Sequence, residues 1–157
     1  AASNWPFMGA VVEDGSDDTH MIRIGAVNAG VGPAKVKTFE MSYRGQPVSS
    51  GIDLLRKCCG LGGDAATIKA QLPNGLSYSL IGESVMRAGD TTPVLSLKRS
   101  GDQPVTEKLA QSLHDISFRV CYCSILDQCW VGDLWTTQTR PVERCAPPAH
   151  PFDPNGR

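Results

Sequence analysis

The sequence is short of most signatures that announce a reaction or a partner. No apolar run approaches the length of a membrane-spanning helix, and no signal peptide stands at the start. There is no Asn-X-Ser/Thr acceptor, which fits a bacterial source at least as well as a eukaryotic one. Excess positive charge is missing: 15 Lys and Arg against 16 Asp and Glu leave a formal charge of −1. No basic surface therefore argues for nucleic acid or anionic lipid. Aromatic residues are only 6% of the chain, so the few present should carry a large share of the core.

Catalytic patterns are equally scarce. Gly82-Glu83-Ser84-Val85-Met86 lacks the second glycine of a nucleophile elbow. Asn28-Ala29-Gly30-Val31-Gly32-Pro33-Ala34 is not followed by the Lys-Ser/Thr of a phosphate loop, and reads as a tight connection packed against a neighbour. Asp14-Gly15-Ser16-Asp17-Asp18 lacks the ligand spacing of a calcium loop and reads as a solvated turn. His20, His114 and His150 are scattered, with no serine or cysteine at suggestive spacing. We expect no catalytic residue, no cofactor and no enzymatic activity.

What the chain does have is six cysteines and frequent turns. Gly and Pro together make 27 of 157 residues, which favours short strands over a helical bundle. The length suits one domain. Cys58-Cys59 and Cys121-Tyr122-Cys123 fit no common zinc spacing, so the even count suggests disulfides and an oxidising compartment.

Phe118–Trp135 organises the rest. Ile116, Phe118, Val120 and Tyr122 alternate with Ser117, Arg119, Cys121 and Cys123, the pattern of a strand with one buried face. A second apolar run follows a short break, so the stretch reads as a hairpin. Setting Cys123 opposite Cys129 places Tyr122 against Trp130, Val120 against Gly132, Phe118 against Leu134 and Arg119 against Asp133. Slipping by one residue would put Trp130 and Leu134 on the wrong face. Opposed Cα atoms lie roughly 4.5–5.5 Å apart, within disulfide reach. We therefore expect a Cys123–Cys129 bridge. Cys58 and Cys59 should reach different partners, because bonding adjacent cysteines strains the backbone. Those partners would be Cys121 and Cys145, in a pairing that sequence leaves open.

Along the chain, strands are expected at Gly9–Glu13, His20–Val27 and Ala34–Arg44, the last with a bulge near Lys37-Thr38 where the alternation slips. Ser49–Gly60 should be a helix capped by Ser50 and ended by Gly60. A flexible Gly60–Asp64 linker precedes strands at Thr67–Leu72 and Leu76–Gly82, separated by a Pro73-Asn74-Gly75 turn. Glu83–Thr92 reads as a loop, Pro93–Lys98 as a strand and Thr106–Asp115 as a helix. Residues 1–139 should form the domain. Residues 140–157, with five prolines, should form an extended tail pinned wherever Cys145 is bridged.

These readings give a mainly β chain: a single antiparallel β-sandwich, immunoglobulin-like, with one or two short helices and disulfide stabilisation. The expected function is a non-enzymatic structural or protein-interaction module. Its candidate surfaces are the Trp5–Phe7 arm, the Asn28–Pro33 loop and the 124–128 hairpin tip. The rival is a thiol-redox or copper(I)-handling protein using Cys121, Cys123 and Cys129. Against redox chemistry, Cys121 and Cys123 sit in a strand and Cys58 and Cys59 at a helix C-terminus, not at the helix N-terminus that lowers a thiol pKa.

Trp5-Pro6-Phe7, Asn28-Ala29-Gly30-Val31-Gly32-Pro33-Ala34, Cys121-Tyr122-Cys123-Ser124 and Cys129-Trp130 together resemble a group of uncharacterised bacterial proteins. Those proteins are membrane-anchored at the N-terminus and expose a β-sandwich outside the cytoplasm. The resemblance covers about a third of the chain. It implies a periplasmic or surface location and membrane contact only through an anchor outside these residues; the protein partner is expected from the interaction-module reading alone. It implies no activity and no functional residue.

Overall fold

The computed structural model describes residues 5–72, 84–134 and 138–153. Among them are nine strands: β1 (Met8–Asp14), β2 (Met21–Asn28), β3 (Ala34–Tyr43), β4 (Gln46–Val48), β5 (Ser84–Met86), β6 (Thr91–Lys98), β7 (Ile116–Cys123), β8 (Cys129–Asp133) and β9 (Gln138–Val142). Three short helices accompany them, α1 (Gly51–Cys59), α2 (Ala65–Ala70) and α3 (Pro104–Ser112), with a 3-10 turn over Leu113–Asp115. All strand pairs are antiparallel, in two sheets: β1-β2-β6, and β4-β3-β7-β8-β9 with β5 also on β3. One apolar core drawn from both sheets makes this a β-sandwich-like architecture.

β7 is central to the larger sheet and the alternation of its sequence explains why. Ile116, Phe118, Val120 and Tyr122 are all buried in the core, each contributing roughly 1.5–3 kcal/mol by its removal from water. Phe39 of β3 stacks on Phe118 with ring centroids 5.5 Å apart. Burial pushes the Tyr122 phenol pKa up, opposed by a hydrogen bond with the Met8 backbone, which ties the two sheets together. The β7–β8 register pairs Cys123 with Cys129, Tyr122 with Trp130, Val120 with Gly132 and Arg119 with Asp133. The Leu134 N–H continues it by donating to the Phe118 carbonyl at 3.1 Å. The bulge in β3 falls at Lys37, between Val36 opposite Tyr122 and Thr38 opposite Cys121. It returns Phe39 and Met41 to the core face.

α1 begins where Ser50 caps it, the hydroxyl accepting from the Asp53 N–H at 3.0 Å. It ends at Gly60, whose φ of 69° is the left-handed stop that glycine adopts without penalty. Its buried face, Ile52, Leu54, Leu55 and Cys59, joins the core, and the helix packs against α3.

Four expectations are corrected. Thr67–Leu72 is not a strand: α2 starts at Ala65 because the Asp64 carboxylate accepts from the Thr67 N–H at 2.7 Å, and Ala-Ala-Thr-Ile-Lys-Ala suits a helix that buries Ile68. The Glu83–Thr92 loop contains β5, which covers the free edge of β3 at Ala34–Val36. Residues 140–142 continue β9, so the sheet passes the expected boundary at 139. The tail is held beyond Cys145 as well: Phe152 sets an edge on Phe39 at 5.5 Å, and the Asp153 N–H donates to the Ser49 carbonyl at 2.7 Å. The expected Pro73-Asn74-Gly75 turn and Leu76–Gly82 strand lie outside the described residues, as does Trp135.

Candidate functional site

Strand register gathers one set of connections at one end of the molecule. Met8 pairs with Asn28, Val27 with Thr91, Ala34 with Met86, Lys35 with Cys123, and Cys129 with Val142. The Trp5–Phe7 arm, the β2–β3 loop, the Arg87–Asp90 turn, the β7–β8 tip and the turn after β9 therefore share that end.

Asn28 organises it. The side chain is wholly buried, and its Oδ1 accepts from the Phe7 N–H at 3.2 Å and the Gly30 N–H at 3.0 Å. Its Nδ2 donates to the Gly32 carbonyl at 2.9 Å and the Met86 carbonyl at 3.0 Å. One amide thus fastens the arm, its own loop and β5. The arm adds backbone pairing: Ala29 N–H donates to Phe7 O at 2.8 Å, and Val31 N–H to Trp5 O at 3.1 Å. Gly30 permits the approach, since a Cβ there would stand 2.4 Å from the Phe7 nitrogen. The loop is the close-packed connection its small residues suggest.

The hairpin tip is held by Ser124, whose buried Oγ accepts from the Leu126 and Gln128 N–H groups at 3.2 and 3.3 Å. Lys35 pairs with Asp127, and that hydrogen bond, with the Lys35 charge, lowers the Asp127 pKa. This scaffold leaves its apolar side chains outside. The large hydrophobic residues exposed among the described residues are Trp5, Phe7, Val31, Val85, Ile125 and Leu126, and all six lie at this end. Leu126 and Val31 are 65% and 66% exposed. Trp5 leans on Trp130 with centroids 5.9 Å apart.

Beside the tip sits the sulfur. Cys123 and Cys129 are joined, with Cα atoms 4.0 Å apart. Cys121 is joined to Cys145, so the chain leaving β9 doubles back over the outer face of β7. The expectation that Cys58 and Cys59 reach separate partners is corrected: they are bonded to each other at the end of α1. Cys121 and Cys145 are bonded to one another, and Cys123 to Cys129, which leaves the two neighbours each other. The Cys123 and Cys145 sulfurs are 3.9 Å apart, and those of Cys123, Cys129 and Cys145 all lie within 4.8 Å. The close sulfurs thus include that of Cys145 beside those of Cys123 and Cys129.

The remaining candidates stay apart. Asp14 and Asp17 turn inward on their own loop, accepting from Ser16 and from Thr19, and those hydrogen bonds lower both carboxyl pKa values. His114 is exposed and 3.6 Å from Asp115, on an open groove of about 540 Å³ shared with Glu13, Asp14 and Asp17 at the opposite end from the sulfur. Among the described residues no helix is long and apolar enough to cross a membrane. No protein-family model, curated protein or solved structure matches the chain.

Proposed function

We infer that the protein is a non-enzymatic, extracytoplasmic interaction module that docks a protein partner through the loop end of its sandwich, in the manner of immunoglobulin-like domains. The observation that carries this is the gathering onto one end, from separate chain segments, of the six large apolar side chains exposed among the described residues. Large apolar side chains left exposed together at one end mark an association site. The hydrogen bonds of Asn28 and Ser124 hold its backbone in place, which reduces the ordering cost of binding. Three disulfides that use every cysteine support an oxidising location, and an envelope position accords with it.

Photo-crosslinking tests the docking surface. A benzophenone side chain replacing Leu126 should yield a discrete cross-linked species in the native cell. The same probe at Asp102, at the opposite end, should yield none. Ile125→Asp with Leu126→Asp should abolish that species while changing stability by no more than about 0.5 kcal/mol, as exposed substitutions do. Equal labelling from both ends, or none from Leu126, removes the reading.

A further inference from the structure

We propose that the outer edge of β1, with α3 beside it, is a second docking site that takes an extended peptide as an added antiparallel strand. The register shows which backbone groups face outward. The β1–β2 pairing continues before Met8, where the Ala29 N–H donates to the Phe7 carbonyl and the Val31 N–H to the Trp5 carbonyl. Odd-numbered residues therefore bond β2, and the N–H and C=O groups of even-numbered ones point away from it. Two contacts agree: the Met8 backbone meets the Tyr122 phenol, and the Asp14 carbonyl accepts from Arg99 at 3.0 Å. Between them, Ala10 and Val12 present their N–H and C=O groups to a further strand.

Proteins usually blunt such an edge. Here β4 and β5 are three residues long, β9 carries Pro141, and β6 carries Pro93 at a register shift. β1 runs for seven residues with no proline, no lysine and no shift in register. Among the described residues it is the edge strand left fit to pair.

A groove of about 540 Å³ lies beside this edge, within the range of about 300–1,000 Å³ usual for ligand sites. β1 and the turn after it line the groove with Val12, Asp14 and Asp17, and α3 and the 3-10 turn with Ala110 and Leu113. Arg99 ties the two walls, holding Glu107 of α3 through two hydrogen bonds of 2.8 Å while it bonds the Asp14 carbonyl. In strand addition, main-chain bonds supply affinity and alternate side chains supply specificity. Alternation puts the Val12 and Asp14 side chains on one face. A ligand side chain opposite Val12 would meet Ala110 and Leu113, and should be apolar. The one opposite Asp14 would meet Asp14 and Asp17, whose carboxyl pKa values are lowered by hydrogen bonds from Ser16 and Thr19. Arg23 and Arg99, the cations near by, are engaged by Glu13 and Glu107. That second side chain should therefore be Lys or Arg, so an antiparallel ligand reads basic-x-apolar from its N-terminus.

Fluorescein-labelled peptides Thr-Lys-Thr-X-Thr-Val-Ser, with Val, Ile, Leu or Phe at X, test this by polarisation against the full chain. At least one should bind saturably and shift the amide resonances of Ala10, Val12, Ala110 and Leu113. N-methylation at X, whose amide would face β1, should abolish binding, and methylation of the next residue should not. Val12→Pro, which removes an outward N–H and no bond to β2, should abolish it with the near-ultraviolet dichroism unchanged. The methylated pair, read on the wild type, decides the matter whether or not that variant folds. Asp14→Asn with Asp17→Asn should weaken binding about threefold to fivefold, the range of a solvated ion pair. Ile125→Asp with Leu126→Asp should leave it unchanged, which separates this site from the loop end. The proposal is overturned if no peptide binds below roughly 1 mM, if the two methylated peptides bind alike, or if the shifts fall elsewhere. It is also overturned if the edge pairs with a second copy of the chain, seen as a dimer that Val12→Pro abolishes.

Discussion

The two ends of the sandwich are built to opposite plans. At one, α3 and the 3-10 turn close the core with Leu109 and Leu113, and charge is placed outside. Arg99 grips Glu107 through two hydrogen bonds of 2.8 Å and reaches the Asp14 carbonyl at 3.0 Å, while Arg44 pairs with Asp115 at 3.1 Å. At the other, apolar side chains stand in solvent over a backbone locked by a buried amide and two disulfides. Apolar groups were available to seal either end. Where they are instead held outward, they add little to folding, which draws on side chains removed from water.

The largest effect that would break this comparison is at Asn28. Replacing it with Ala strands two backbone N–H groups and two carbonyls, at roughly 1–3 kcal/mol for each one left without a partner. A loss of about 4 kcal/mol in urea unfolding is expected, with faster amide exchange at Phe7 and Gly30. A loss below about 1 kcal/mol would mean that packing, not this side chain, fixes the open end.

The disulfides come next and sharpen the contrast. Chain-entropy reasoning gives about 3.5 kcal/mol for the Cys121–Cys145 bridge, which spans 24 residues, and about 2 for Cys123–Cys129, which spans 6. Cys58–Cys59 closes no loop, so removing it should cost close to nothing on this account. Paired serine substitutions, compared by denaturant midpoint, should fall in that order. A vicinal bridge as costly to lose as the tail bridge would show that α1 depends on its sulfur for more than chain connectivity.

The hairpin was legible because period-two alternation and opposed cysteines leave only one register that keeps Trp130 and Leu134 inside. The bulge at Lys37 was legible for the same reason, as a break in phase. α1 announced itself through Ser50, Asp53 and Gly60. Thr67–Leu72 misled because its β-branched Thr67 and Ile68 suit a strand, whereas Asp64 supplies a cap that starts a helix. The site was legible only in pieces. The arm, the loop and the hairpin tip could each be named, but their meeting depends on pairing between distant strands. Nothing in Asn28 or Cys145 alone says which segments they join. The partner of Cys58 was misjudged because local strain was weighed and the distance to any other sulfur was not visible.

The smallest expected effect concerns acid at the sealed end. The Arg99 side chain, by hydrogen bonding and then by charge, holds Glu107 below its ordinary value of 4.5. A carboxylate whose folded pKa is lowered contributes stability that is complete above the unfolded value and lost as pH falls through the folded one. Glu107→Gln should therefore lower Tm slightly at pH 7, and the gap from wild type should close as pH drops below about 4.5. The pair is largely solvated, so the effect is small and salt should weaken it. Melting curves at pH 7, 5, 4 and 3 decide it. A gap that stays constant, or widens in acid, would mean that Glu107 acts through the packing of α3 and not through its charge, and the sealed end would then owe its closure to apolar contact alone.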